Sequence, residues 1–543
     1  MRVTLPPSRD LANDEAPVPA THSPTRRQWL MGSAALLGGT SLPLPGLLPP
    51  AHAQNQTYFQ QVLGELLGDG QKFVATNVLE LARQLAKKPY QGPTNPLPEL
   101  FAGLDAETYA QIKAKPQSYI WDQEGRGFTI EPLHRGFAFQ APIALNVVED
   151  GVIRRVTYEQ NRFDFGKLTV PETLPNLSFS GFRIYGDAQD GPMREVAVFQ
   201  GATFYRSLAR GQITGATARS LVVKLGDQKG EEFPTFRAFW LEKPSPVSDT
   251  MIIHALLDSE SVTGAYRFTI KSGEITLIDT EMTLVPRTTI DNYGIAGMTS
   301  TYYFGPNSRR ATDDIRPAAY KSGGLQIKNG NEEWIWRPLS NPQALQISQF
   351  VDPSPRGFGF LQRDRDFATF QDDEQSYEKR PSIWNEPIGE WTPGAVQLIE
   401  IPSDNDVNDN IVAFWRPKQP LQAGQETSYV YRQYWCWLPP ERPSLAAVGT
   451  TRSGRVSGKK RRFVVDFYDD SFKMPEELNE LKPQLSASVG TVSRLRKYFH
   501  PERRLCRISF DLDPGNETLA ELRLLLLMGD KTVSETWLYR WTA

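Results

Sequence analysis

Between residues 334 and 391 the chain gathers Trp334, Trp336, Arg337, Arg356, Arg363, Asp364, Arg365, Asp366, Asp372, Tyr377, Arg380, Trp384, Glu386 and Trp391. Aromatic rings stack on sugar faces, and carboxylates and guanidinium groups take sugar hydroxyls, so this density favours carbohydrate as the ligand class. A large aromatic on a strand fills a core equally well, and each tryptophan has that second use open to it.

Two acidic runs add to this. In Gln362-Arg363-Asp364-Arg365-Asp366 the charges alternate, and in a strand that would place both aspartates on one face and both arginines on the other. One of those faces would lie inside, where charges have to be paired or functional. Asp404-Asn405-Asp406-Val407-Asn408-Asp409-Asn410 precedes an apolar run, Ile411–Trp415. This second run lacks the glycine and closing glutamate of an EF-hand loop, so calcium is the weakest reading. A carboxylate loop beside a strand can instead supply the acid of a glycosidase.

Scarcity excludes other chemistry. There are five histidines and two cysteines, so a His-based metal site or a Ser-His-Asp triad is hard to assemble. No metal or cofactor is expected. Cys436 and Cys506 could pair in an oxidising compartment, but spacing alone does not place them within bonding range. The 60 basic and 63 acidic residues nearly balance, which argues against nucleic acid or an anionic membrane as partner.

Arg26-Arg27 stand directly before an uncharged stretch, Gln28–Leu48, and Ala51-His52-Ala53 follows as a small-x-small cleavage site. Paired arginines at this place read as a twin-arginine export signal, residues 1–53, and the expected location is the periplasm. Pro43, Pro45, Pro49 and Pro50 interrupt any span, so no membrane insertion is expected after cleavage. Val74, Val78, Leu81 and Leu85 predict a helix, and Asp105 caps a short second one. Both are expected to pack on the outside of a sheet. From about residue 118 short Val/Ile/Thr/aromatic runs alternate with turn residues, as in Ala144–Val148 and Val152–Tyr158 across Glu149-Asp150-Gly151. The fold class is therefore mainly β: a large antiparallel sandwich over 54–416, a linker at 417–424, and a smaller immunoglobulin-sized sandwich over 425–543. The oligomeric state is not fixed by the sequence, and a homodimer stays open.

Further motifs carry a resemblance. Gly181-Phe182-Arg183, Phe199–Arg206, Glu231–Pro234, Ala255–Ser259, Thr263–Phe268, Trp334–Leu339, Arg356–Gly359, Arg380-Pro381-Ser382 and Ser534-Glu535-Thr536-Trp537 appear in order. In these the chain resembles the G and D proteins of osmoregulated periplasmic glucan synthesis, and its export signal makes it more similar to the D type. The resemblance implies a galactose-mutarotase-like N-terminal sandwich, an immunoglobulin-like C-terminal domain, and a cleft for β-1,2-linked glucan as substrate. It implies Asp409, in Asn408-Asp409-Asn410-Ile411, as general acid, with Asp372 and Tyr377 at the reacting subsites; the aromatic and charged density adds Arg380, Trp384 and Trp336, and the acidic run Asp406, as substrate-binding candidates. One position departs from the family: where its His-Asp-Ser-Asp-Gly-Leu motif holds the general base, this chain has Tyr320-Lys321-Ser322-Gly323-Gly324-Leu325. Lys321 accepts no proton at neutral pH unless its pKa falls by several units. Asp313, Asp314, Tyr320 and Asp372 are the candidates for a rearranged relay. Two functions follow as expectations: an enzyme that cleaves or transfers β-1,2-glucan, or a glucan-binding assembly factor with a degenerate site.

Overall fold

The computed structural model describes residues 51–543 apart from 94, 123, 189–190, 310–312 and 473–478. Arg26, Arg27 and the uncharged stretch of the expected signal lie outside the described residues. Among the described residues no helix is long and apolar enough to cross a membrane.

Two broad sheets form the body. The nine-stranded sheet runs from Gln346–Asp352 through Gly394–Glu400, Ile411–Pro417, Tyr293–Ser300 and Thr217–Val223 to Phe128–Leu133. The central stretch of the fifteen-stranded sheet is Gly357–Leu361, Ser382–Pro387, Thr427–Cys436, Thr276–Pro286 and Val262–Lys271. Alternation along these strands explains the layering. In Val262–Lys271, Tyr266, Phe268 and Ile270 are buried while Arg267, Thr269 and Lys271 are less so. Residues from both sheets, among them Phe182, Phe199, Phe268, Ile295, Leu398 and Trp435, share one core. The sequence-predicted sandwich is therefore present, with the hairpin Ala144–Glu149/Val152–Arg155 in place.

The helices Ala51–Leu67 and Thr76–Ala86 lie on the other face of the large sheet. Leu63, Leu81 and Leu85 pack there with Ile153, Trp240 and Leu256. Val74 stands before the second helix and is exposed. Asp105 caps Ala106–Ala110 by accepting from the Thr108 N–H at 2.7 Å, as its residue type predicts.

The C-terminal part differs from the expected division. Thr427–Cys436, placed beyond the linker by composition, pairs with Thr276–Pro286 on one side and Ser382–Pro387 on the other, inside the large sheet. Residues 417–424 are thus a turn between two strands of the body, because nonlocal pairing overrides the Pro/Gly composition. A second core begins further on. There the strands Ala447–Ser457, Lys460–Tyr468, Leu505–Asp513 and Thr491–His500 form a four-stranded sheet. It packs against Leu481–Ala487, Leu519–Met528 and Thr536–Thr542 through Phe463, Val465, Ile508, Phe510 and Trp537. Those three strands are themselves continuous with the large sheet, because Thr536 and Trp537 pair in parallel with Ile335 and Trp336.

Glu535 fastens this junction. It is fully buried and accepts from Arg363 at 2.7 and 2.9 Å, from Gln326 at 2.6 Å and from the Val448 N–H at 2.7 Å. A buried carboxylate with that many donors is satisfied rather than reactive. Cys436 and Cys506 are both buried free thiols, one in each core region.

Candidate active site

Three segments meet at one end of the nine-stranded sheet. The loop after Gly394–Glu400 is tied down by Asn410. The Asn410 amide nitrogen donates to the carbonyls of Tyr302 and Ile401 at 3.0 and 2.9 Å, and its amide oxygen accepts from the Tyr302 N–H at 2.8 Å. That clamp sets Asp409 against the end of the strand Tyr293–Ser300. There Thr299 and Thr301 donate to its two carboxylate oxygens at 2.6 and 2.9 Å. The backbone N–H of Lys321 bonds the Thr301 carbonyl at 2.9 Å, which brings the lysine to the same place.

The consequence is an ion pair. Lys321 Nζ lies 2.7 Å from Asp409 Oδ1, with both side chains largely buried. Burial pushes the Asp409 carboxyl up, but the Lys321 ammonium and the hydrogen bonds from Lys321, Thr299 and Thr301 together pull it below the ordinary aspartate range. Asp409 is thus a carboxylate at neutral pH, fully engaged by three donors.

Beside it a second cluster forms around Arg316. Its Nη1 donates to Asp372 at 2.9 Å and to Asp406 at 2.7 Å, while Nε and Nη2 hold Asp314 in a fork at 2.9 and 2.7 Å. Tyr377 donates its hydroxyl to the same Asp406 oxygen at 2.5 Å. Hydrogen bonding to Arg316 lowers the Asp314 pKa. Asp406 is raised by burial yet ends below its ordinary value through Tyr377 and Arg316. Asp372 also accepts from the N–H groups of Glu374 and Gln375, which fixes its turn. Arg380 stacks over the Tyr377 ring, donates to the carbonyls of Thr214 and Gln375, and feels the charges of Asp372 and Asp409.

Five predicted residues, Asp372, Tyr377, Arg380, Asp406 and Asp409, therefore converge with Lys321. The two tryptophans do not. Trp384 is fully buried, stacked on Trp334 with ring centroids 5.8 Å apart and bonded to Glu386. Trp336 is buried and roofed by the Arg363 guanidinium, 3.6 Å above its ring centroid. Neither offers a sugar an open face: Trp336 packs in the second core, and Trp384 is fully buried beneath Trp334. The Arg363–Asp366 run is a loop rather than a strand beyond Leu361: Arg363 pairs with Glu535, Asp364 accepts from Tyr320, Arg365 donates to backbone carbonyls, and the exposed Asp366 caps Phe367–Phe370. Asp313 is exposed, and Tyr320 donates to Asp364 at 2.7 Å. Arg316, Thr299 and Thr301 were missed as contributors. Only the Arg316-Pro317 pair marked its place in the sequence, and nothing local marks the threonines. Among the described residues no group of His, Cys, Asp and Glu is arranged to hold a metal ion.

The family described as "Periplasmic glucan biosynthesis protein, MdoG" matches residues 73–541, a range that contains every residue of this cluster. The chain belongs to that family. Among relatives of the MdoG family, glucans biosynthesis protein G of Vibrio cholerae serotype O1 is 44% identical over 472 residues, covering 86% of each chain. The protein of the same name from Rhodopseudomonas palustris strain BisA53 is 44% identical over 466 residues, covering 86% of this chain and 92% of its own. Both carry the G name, whereas the leaning toward the D type rests on the export segment, outside the family match. A solved galactose mutarotase related enzyme from Lactobacillus acidophilus is 7% identical, covering 44% of this chain and 96% of its own, with a TM-score of 0.19. At that score it bears no weight, and the sandwich stands on strand order alone. Within the MdoG family layout, the position expected to hold a base holds the ammonium that neutralises the expected acid.

Proposed function

We propose that this chain is a periplasmic glucan-biosynthesis protein, exported by the twin-arginine route, that engages a β-1,2-glucan backbone at the Asp372–Tyr377–Arg380–Asp406–Asp409 cluster and processes it. Membership of the MdoG family across residues 73–541 carries this reading. The cluster supports it with carboxylates, guanidinium groups and a phenol at hydroxyl-binding range. On this reading the N-terminal sandwich holds the glucan and the C-terminal sandwich braces it.

Inverting cleavage requires one carboxylic acid and one carboxylate base about 6.5–9.5 Å apart. Asp409 serves as the acid only when it carries a proton, which the Lys321 contact opposes. Glucan binding must therefore separate the pair, or another group must move the proton. A second reading follows from the 2.7 Å ion pair itself: the protein holds the nascent polymer without turning it over, its acid locked as a carboxylate.

The deciding experiment incubates the purified mature protein with linear and with cyclic β-1,2-glucans. New reducing ends or rings, abolished in Asp409→Asn, support processing. Binding without turnover, unchanged in Asp409→Asn, leaves the holding function.

A further inference from the structure

We propose that the outward face of the C-terminal four-stranded sheet docks on an anionic phospholipid bilayer surface. Phe463, Val465, Phe467, Ile508 and Phe510 point into the second core. Alternation therefore turns Arg462, Asp466, Arg507 and Asp511 outward. Yet Asp466 and Asp511 are 2% and 0% exposed, because arginines roof them. Arg507 binds Asp466 through Nε at 2.7 Å and Nη2 at 3.0 Å, and Arg452 adds a contact at 3.1 Å. Arg462 grips Asp511 in the same way at 2.7 and 3.0 Å, with Arg494 3.8 Å away. Both carboxylates are consumed underneath. Nη1 of Arg462 and of Arg507 keeps no partner among the described residues.

The surface thus presents guanidinium groups in fixed positions. Arg496, exposed and opposite Ser509 across the ladder, extends the array. A register shift interrupts the edge strand between Ser493 and Arg496, and Leu495 and Tyr498 there are each 43% exposed. Pinned arginines with free N–H groups suit phosphate oxygens. Exposed leucine and tyrosine beside them suit the headgroup boundary of a bilayer. The array spans four strands of an open sheet, which fits an extended surface better than a single small anion.

Arginines on an edge strand also block pairing with other chains. That use accounts for Arg494 and Arg496. It does not account for Arg462 and Arg507, which lie on the inner strands. The near-neutral whole-chain balance concealed the face, since Asp466 and Asp511 lie beneath the arginines, while the exposed Asp513 at the end of its strand faces Lys460 at 3.8 Å. Adhesion of this kind involves no insertion, and it is independent of the glucan reading.

The test floats the full mature protein with vesicles of phosphatidylcholine alone or with added phosphatidylglycerol, at low salt. The protein is expected to float only with the anionic vesicles and to be released by salt. The variant Arg494→Gln/Arg496→Glu is expected to lose at least about tenfold in binding, with unchanged thermal unfolding and glucan binding. Equal binding to both vesicles overturns the proposal, as does full binding by the double variant. So does indifference to vesicles in a protein that captures soluble polyphosphate.

Discussion

Nζ of Lys321 and Oδ1 of Asp409 lie 2.7 Å apart, in the place where the family resemblance expects a base and an acid held apart by a water. One substitution therefore alters two roles, removing an acceptor and fixing the protonation state of the neighbour.

Lys321→Ala is expected to cost about 1–3 kcal/mol at neutral pH, since it strands a largely buried carboxylate with only the threonine hydroxyls. The Asp409 pKa is depressed in the folded state. The stability it lends is thus full above the ordinary carboxylate value of about 4 and is lost as pH falls through the folded value. Urea denaturation across that range should show the gap between wild type and variant closing on acidification. A gap that persists in strong acid would contradict the pairing.

Lys321→Asp should have the opposite chemical effect. It removes the ammonium and adds a like charge, so the Asp409 carboxyl moves up toward a proton-holding state while a candidate base appears. Hydrolysis of β-1,2-glucan, read as new reducing ends, is expected to rise at least about tenfold. No rise in a folded variant would locate the obstacle elsewhere.

Arg316 holds three aspartates at once, and its fork geometry is the reason. Arg316→Lys is expected to lose about 2–4 kcal/mol and most glucan affinity, because a point ammonium cannot serve Asp314 in a fork and still reach Asp372 and Asp406. Thermal unfolding and isothermal titration with a linear β-1,2-glucan measure both. The released carboxylates repel, so the deficit should shrink as they protonate.

Trp384 and Tyr377 separate packing from binding. Trp384→Ala is expected to cost about 3–5 kcal/mol with unchanged glucan affinity in the folded fraction. Tyr377→Phe deletes one hydroxyl bonded to Asp406, costing about 1 kcal/mol in stability while weakening glucan binding. Equal effects on affinity from both would return Trp384 to the binding set.

Glu535→Ala leaves Arg363 half-buried without its partner at the junction of the two cores. A loss of about 3–5 kcal/mol is expected, with limited proteolysis opening first between residues 437 and 446. Cleavage unchanged in site and rate would show that the packing around Trp537 suffices.

Much of this was readable in the residues. The capped helix at Asp105 and the Glu149-Asp150-Gly151 hairpin follow from local chemistry, and the structure shows both. Asp406 and Asp409 stood out because a run of carboxylates before an apolar strand is unusual. Trp336 and Trp384 misled for a physical reason: composition counts an aromatic without revealing which side of the strand is covered. The Thr427–Cys436 strand misled similarly, since its partners lie far away in sequence and its flanks look like a linker. The arginine lattice shows only in the fold, where the basic run from Arg452 to Arg462 is a hairpin and strand pairing adds Arg507 and Arg496 to it.

The parallel pairing of Thr536 and Trp537 with Ile335 and Trp336 joins two segments far apart in the chain. This seam therefore cannot close until Thr536–Thr542 has been synthesised. A chain lacking Thr536–Thr542 would have a bare Trp-Ile-Trp edge at Trp334–Trp336, a ready template for clumping. Frameshifts just ahead of Thr536 should be as damaging to yield as lesions at Asp409 or Arg316.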